Sequence, residues 1–102
     1  MVIIMKKQRT LYELYKILLK HSPLSELCWG ICSSIKILYY AGTFSKEERG
    51  CLLEDFLSHK EKAHKSFGAT GSLWWWHGEN ANKQRIKFIK YLIKLHSPKQ
   101  EI

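Results

Sequence analysis

Nowhere in this 102-residue chain do roughly twenty apolar residues run without interruption, so no segment reads as a bilayer-crossing helix. Cysteine is scarce and odd in number: Cys28, Cys32 and Cys51. A secreted disulfide scaffold carries more cysteines, evenly paired and in loops, whereas these three sit in apolar, helix-like surroundings. They read as buried, reduced thiols acting as small hydrophobes. The two prolines, Pro23 and Pro98, lie outside the periodic segments and punctuate them. Catalytic signatures are missing too: there is no glycine-rich phosphate loop, no GxSxG and no acidic metal cluster. The chain therefore reads as a binding protein rather than an enzyme, without cofactor or metal. Cys28 and Cys32 at i, i+4, with His59, His64 and His77 downstream, sketch a zinc site on paper. No CxxC or HxxxH pair supports it, so the expectation is no metal.

Acidic residues are absent between Lys83 and Lys99, which hold six Lys/Arg. The first twenty-three residues hold five Lys/Arg against Glu13 alone, and the middle is mildly acidic through Glu47, Glu48, Glu54, Asp55 and Glu61. The net charge of +8 is thus concentrated at the two ends. That field favours anionic partners: nucleic acid, nucleotides or acidic protein surfaces. Apolar residues make up 45% of the chain, enough for one domain spanning residues 1–102 with a modest core. Residues 1–9 read as a flexible or short extended N-terminus. Met1-Val2-Ile3-Ile4-Met5 is apolar, but its charges follow it, the reverse of a signal peptide, so the expected location is the cytoplasm. Met5 is an alternative start that would make residues 1–4 dispensable.

The periodicity predicts an all-α fold, a small four-helix domain with a tryptophan-rich loop before the last helix. Thr10 and Glu13 have capping-box spacing, and Leu11, Leu14, Tyr15 and Leu18 follow at helical intervals to about His21. A second helix is expected from Leu24 to Ala41, closed by Gly42 and, with its broad apolar surface, central to the fold. Ser45 and Glu48 form another capping box, opening a helix to about Lys62 with Leu52, Leu53, Phe56 and Leu57 inward. Asn80 or Asn82 caps a last helix to about His96, with Ile86, Ile89, Leu92 and Ile93 inward.

Trp74-Trp75-Trp76-His77, flanked by glycines, is the least ordinary segment. Three adjacent indoles either lid a small core or present a flat face for stacking. The basic start of the next helix, with Lys83, Arg85 and Lys87, suits the phosphates of a nucleotide. The candidate ligand-binding residues are therefore Trp74, Trp75, Trp76, His77, Lys83, Arg85 and Lys87. Lys83, Lys87, Lys90 and Lys94 also fall on one helical stripe, which is either a phosphate-tracking surface or an ordinary solvated face.

Leu27-Cys28-Trp29-Gly30-Ile31, the segment from Ser45 to Leu57, and Trp74-Trp75-Trp76-His77 followed by Arg85-Ile86-Lys87-Phe88-Ile89 together resemble a family of short bacteriophage and prophage proteins. Those carry a GLCxxI-like helix, an acidic-capped helix, and a YWWP-like loop before an arginine-led final helix. Glu26 stands where that family has glycine, and His77 where it has proline. The resemblance implies a viral setting and no particular chemistry. It leads to the expectation of a non-enzymatic inhibitor of host antiviral defence, which sequesters a nucleotide-like anion or blocks a host defence protein. The alternative is a small basic regulator that binds DNA or RNA. Self-association into a homo-oligomer is expected from the aromatic content, and no membrane partner is.

Overall fold

The computed structural model describes residues 9–21, 30–62 and 81–98. The tryptophan-rich loop, Cys28 and the N-terminal residues 1–8 lie outside the described residues. Among the described residues, four helices follow one another: α1 (Leu11–His21), α2 (Ile31–Tyr40), α3 (Lys46–Ser58) and α4 (Ala81–His96). Residues 60–62 are helical again after a break at His59. The domain is all-α, with no strand among the described residues, and no described helix is long and apolar enough to cross a membrane.

Both predicted capping boxes form. The Thr10 N–H donates to Glu13 Oε1 at 2.9 Å, and the Glu13 N–H donates to Thr10 Oγ1 at 3.2 Å. Ser45 and Glu48 repeat the exchange at 2.8 and 3.1 Å. Each box satisfies two backbone donors that a helix start otherwise leaves open. Glu48 does more than cap. The Arg9 guanidinium donates to both of its carboxylate oxygens and also to the Thr43 carbonyl, at 2.7 Å. One fork thereby ties the entry of α1 to the α2–α3 turn. That turn is a Schellman motif. The Thr43 N–H reaches the Leu38 carbonyl at 2.8 Å and the Gly42 N–H reaches Tyr39 at 3.0 Å, with Gly42 at φ 82°.

The fork gives acid sensitivity a defined sign. The hydrogen bonds from Arg9 hold the Glu48 carboxyl well below its ordinary range, down to about 2. A carboxyl depressed in the folded state stabilises the fold above its unfolded value of 4.5, and that contribution disappears as pH falls toward about 2. Glu48→Gln is expected to cost about 1 kcal/mol at neutral pH and to flatten the loss of stability below pH 4.5. Urea midpoints measured across that window check it.

α1 is the hub of the bundle. It packs against each of the other three helices, most extensively against α4, while α2 packs chiefly on α3. Leu14, Tyr15 and Leu18 of α1 join Ile31, Ile35, Leu38, Phe44, Leu52, Phe56, Phe88, Ile89 and Leu92 in one buried cluster. This corrects the expectation of a central α2, whose outer side leaves Ile37 and Tyr40 exposed. The expected helix from Leu24 to Ala41 does not run through Gly30, and its first part, residues 24–29, lies outside the described residues. Gly30 is extended (φ −70°, ψ 167°) and serves as N-cap, so the helix starts at Ile31. The lack of a Cβ lowers glycine's preference for the helical interior, and a backbone break there interrupts the apolar stripe. α3 likewise stops at Ser58, leaving Leu57 exposed and Leu53 half-buried. The thiols are not uniformly buried either: Cys51 is exposed, and Cys32 is half-buried, its pKa pushed up to about 11 by burial.

Candidate functional site: a lysine face and a histidine–aspartate cluster

The helical repeat of α4 assigns its residues to two opposed faces. Arg85, Phe88, Ile89 and Leu92 fall at i, i+3, i+4, i+7 and are all buried. Ile86 and Ile93, expected inside, are half-buried, so the inward face is centred on Phe88, which the sequence analysis left out. Lys83, Lys87, Lys90 and Lys94 occupy the other side and are all exposed. Three turns at 1.5 Å per residue make this stripe about 16 Å long. None of the four lysines forms an ion pair among the described residues. Other cations are engaged: Arg9 by Glu48, Arg49 over the Tyr39 ring at 5.1 Å, and Lys62 over Tyr91 at 5.2 Å.

The proposed nucleotide-contact set is thus divided. Trp74, Trp75, Trp76 and His77 lie outside the described residues. Lys83 and Lys87 are solvent-facing and sterically able to meet phosphate. Arg85 is not: its side chain is among the largest fully buried ones, with 1% of its surface exposed. An arginine on the core face cannot grip a solvent-borne ligand, so its assignment as a phosphate contact is corrected. The reason is the rotation of α4, which sets Arg85 in register with Phe88 and Leu92.

A groove of about 700 Å³ beside the α2–α3 turn is lined by Arg9, Leu14, Phe44, Glu47, Glu48 and Cys51 among others. Its arginine is neutralised by Glu48, and Glu47 adds a further negative charge. An anion gains nothing there.

A second constellation joins three helices. Asp55 on α3, His59 at its C-cap and His96 at the end of α4 bring a carboxylate oxygen and two ring nitrogens within 4.8 Å of one another. His96 Nε2 is 2.9 Å from Asp55 Oδ2, and the Tyr15 hydroxyl of α1 donates to the same oxygen at 2.7 Å. His59 Nε2 faces the other oxygen, Oδ1, at 3.6 Å. Tyr15 stacks on His96 with centroids 5.8 Å apart and 8° between planes, while His59 meets Tyr91 edge-on at 6.3 Å. Burial, and then the hydrogen bond to Asp55, raise the Tyr15 pKa, so the phenol remains a donor. The i, i+4 pair Asp55–His59 was readable in the chain; nothing local signals that His96 completes it. No family model, curated protein or solved structure matches the chain.

Proposed function

We propose that this chain is a non-enzymatic binding protein for an extended polyanion, nucleic acid, which it tracks with the lysine face of α4. The observation that carries this reading is the exposed row Lys83, Lys87, Lys90 and Lys94, without an ion pair among the described residues. Four charges over about 16 Å can meet several successive phosphates of a duplex strand, which carries one per about 3.4 Å of helix axis, whereas a single nucleotide would meet one or two of them. The net charge of +8 adds long-range attraction of the same sign. The resemblance to short phage proteins supports a viral setting, in which occupying a nucleic acid interferes with host processes, defence among them.

Phosphate contact of this kind is additive and indifferent to base sequence. Each single substitution, such as Lys87→Ala, is expected to weaken binding evenly across sequences and to reduce the salt slope by about 1. Lys46→Ala, an exposed lysine at the start of α3, serves as the control and leaves binding unchanged. Fluorescence anisotropy with labelled duplex and single strands reads both. Tight, salt-resistant capture of a mononucleotide or cyclic oligonucleotide, with no salt-sensitive affinity for long strands, would instead favour the nucleotide-sequestering inhibitor centred on Trp74 to Trp76.

A further inference from the structure

We propose that Asp55, His59 and His96 form a three-ligand site for a first-row divalent cation, with Zn²⁺ the best match. Two imidazole nitrogens and one carboxylate oxygen are the donor set that borderline-soft Zn²⁺ takes in open sites, leaving one position for water or an anion. Ligand atoms about 2.0–2.1 Å from a tetrahedral ion are about 3.3 Å from each other. One donor atom from each of the three residues lies within 4.8 Å of the others, with His96 Nε2 2.9 Å from Asp55 Oδ2 and His59 Nε2 3.6 Å from Oδ1, a spread that modest side-chain rotation contracts to that figure. At 3.6 Å the His59 ring is placed toward the carboxylate but is too distant to hydrogen-bond with it, which is the spacing that an intervening cation closes.

The surroundings are those of a prepared site rather than of loose surface histidines. The side chains of Asp55, His59 and His96 are 14%, 27% and 23% exposed, so each is sheltered yet reachable. Tyr15, fully buried, donates to the Asp55 oxygen and fixes its direction, the usual task of an outer hydrogen bond to a ligating carboxylate. Its ring, stacked on His96, and Tyr91, edge-on to His59, set the two imidazole planes. Without the ion, a proton on His96 Nε2 makes the bond to Asp55. Binding takes the tautomer with the proton on Nδ1, which leaves the Nε2 lone pair to face the metal. Because the ligands come from the C-terminal ends of α3 and α4, the ion would clamp those two ends together over Tyr15 of α1. This inference is independent of the lysine face.

The test is Zn²⁺ titration of the intact, reduced protein against a chromophoric chelator, followed by Co²⁺ substitution. The expected result is one equivalent bound with a Kd on the order of 1 µM or below. At a hundredfold excess over that Kd, the Tm should rise by roughly 10 °C. The Co²⁺ form should show visible d–d bands and no thiolate charge-transfer band, which separates this site from Cys32 and Cys51. His59→Gln leaves the Tyr15–Asp55–His96 hydrogen bonds intact and is expected to weaken binding about 100-fold, with an unchanged helical circular dichroism spectrum. Absence of stoichiometric binding by the parent protein, undiminished affinity in His59→Gln, or a thiolate band would each overturn the assignment. Should His59→Gln fail to fold, Asp55→Asn, which keeps the carbonyl that accepts from Tyr15, takes its place with the same expected loss.

Discussion

Phe88→Ala is expected to cost about 3–5 kcal/mol. Phe88 is fully buried and sits where α3 and α4 meet. Its ring contacts Phe56 edge-on at 5.6 Å and stacks with Tyr91 at 5.9 Å. Removing it deletes the transfer energy of a phenyl group, opens a cavity between two helices and abolishes both ring pairs. Native stability of such a domain is only about 5–15 kcal/mol, so the variant lies near the edge of folding. Chemical denaturation should show a midpoint shifted sharply down with little change in slope, and the Tm should fall by at least roughly 12 °C. Phe88→Leu, which keeps most of the volume, should lose far less. Equal effects from the two substitutions would mean that the aromatic layer is not where this bundle holds together.

Arg85→Ala is the second large effect, and its direction separates two roles. A guanidinium with 1% exposure has been withdrawn from water and must be held by groups that offset its desolvation. Truncation removes the packed stem and strands whatever the guanidinium engages, for a cost of about 3–5 kcal/mol. The substitution should therefore lower stability and leave polyanion affinity per folded molecule unchanged. Denaturation and binding measured on the same preparation distinguish this from a ligand contact, for which stability would hold and affinity would fall. Lys87→Ala, two residues along on the opposite face, should show the reverse pattern.

Those paired outcomes mark what the chain discloses by itself. Local chemistry was legible: Thr10 with Glu13, Ser45 with Glu48, and Gly42 all cap the helices their spacing implies. Each is decided within a few residues, where sequence and structure share the same short-range geometry. The lysine row was legible for the same reason, since helical period alone puts Lys83, Lys87, Lys90 and Lys94 on one side. Arg85 was misread because charge suggests a surface position, whereas helix rotation is set by where Phe88, Ile89 and Leu92 can pack. The break at Gly30 was hidden beneath an uninterrupted apolar stripe. His96 was beyond reach in another way: it joins Asp55 from 41 residues along the chain, and only the packing of α1, α3 and α4 creates that proximity.

The lysine face is the part of the account on which function rests, and salt dependence tests it most directly. The logarithm of the affinity for a short DNA duplex should fall linearly with the logarithm of salt concentration. Four phosphate contacts imply a slope of about −3.6. The variant with Lys83, Lys87, Lys90 and Lys94 all changed to alanine should retain its helical spectrum and stability, since all four are exposed, while the slope collapses toward zero. A parent protein that ignores duplex and single strands alike, or a four-lysine variant that keeps the parent's slope, would contradict it.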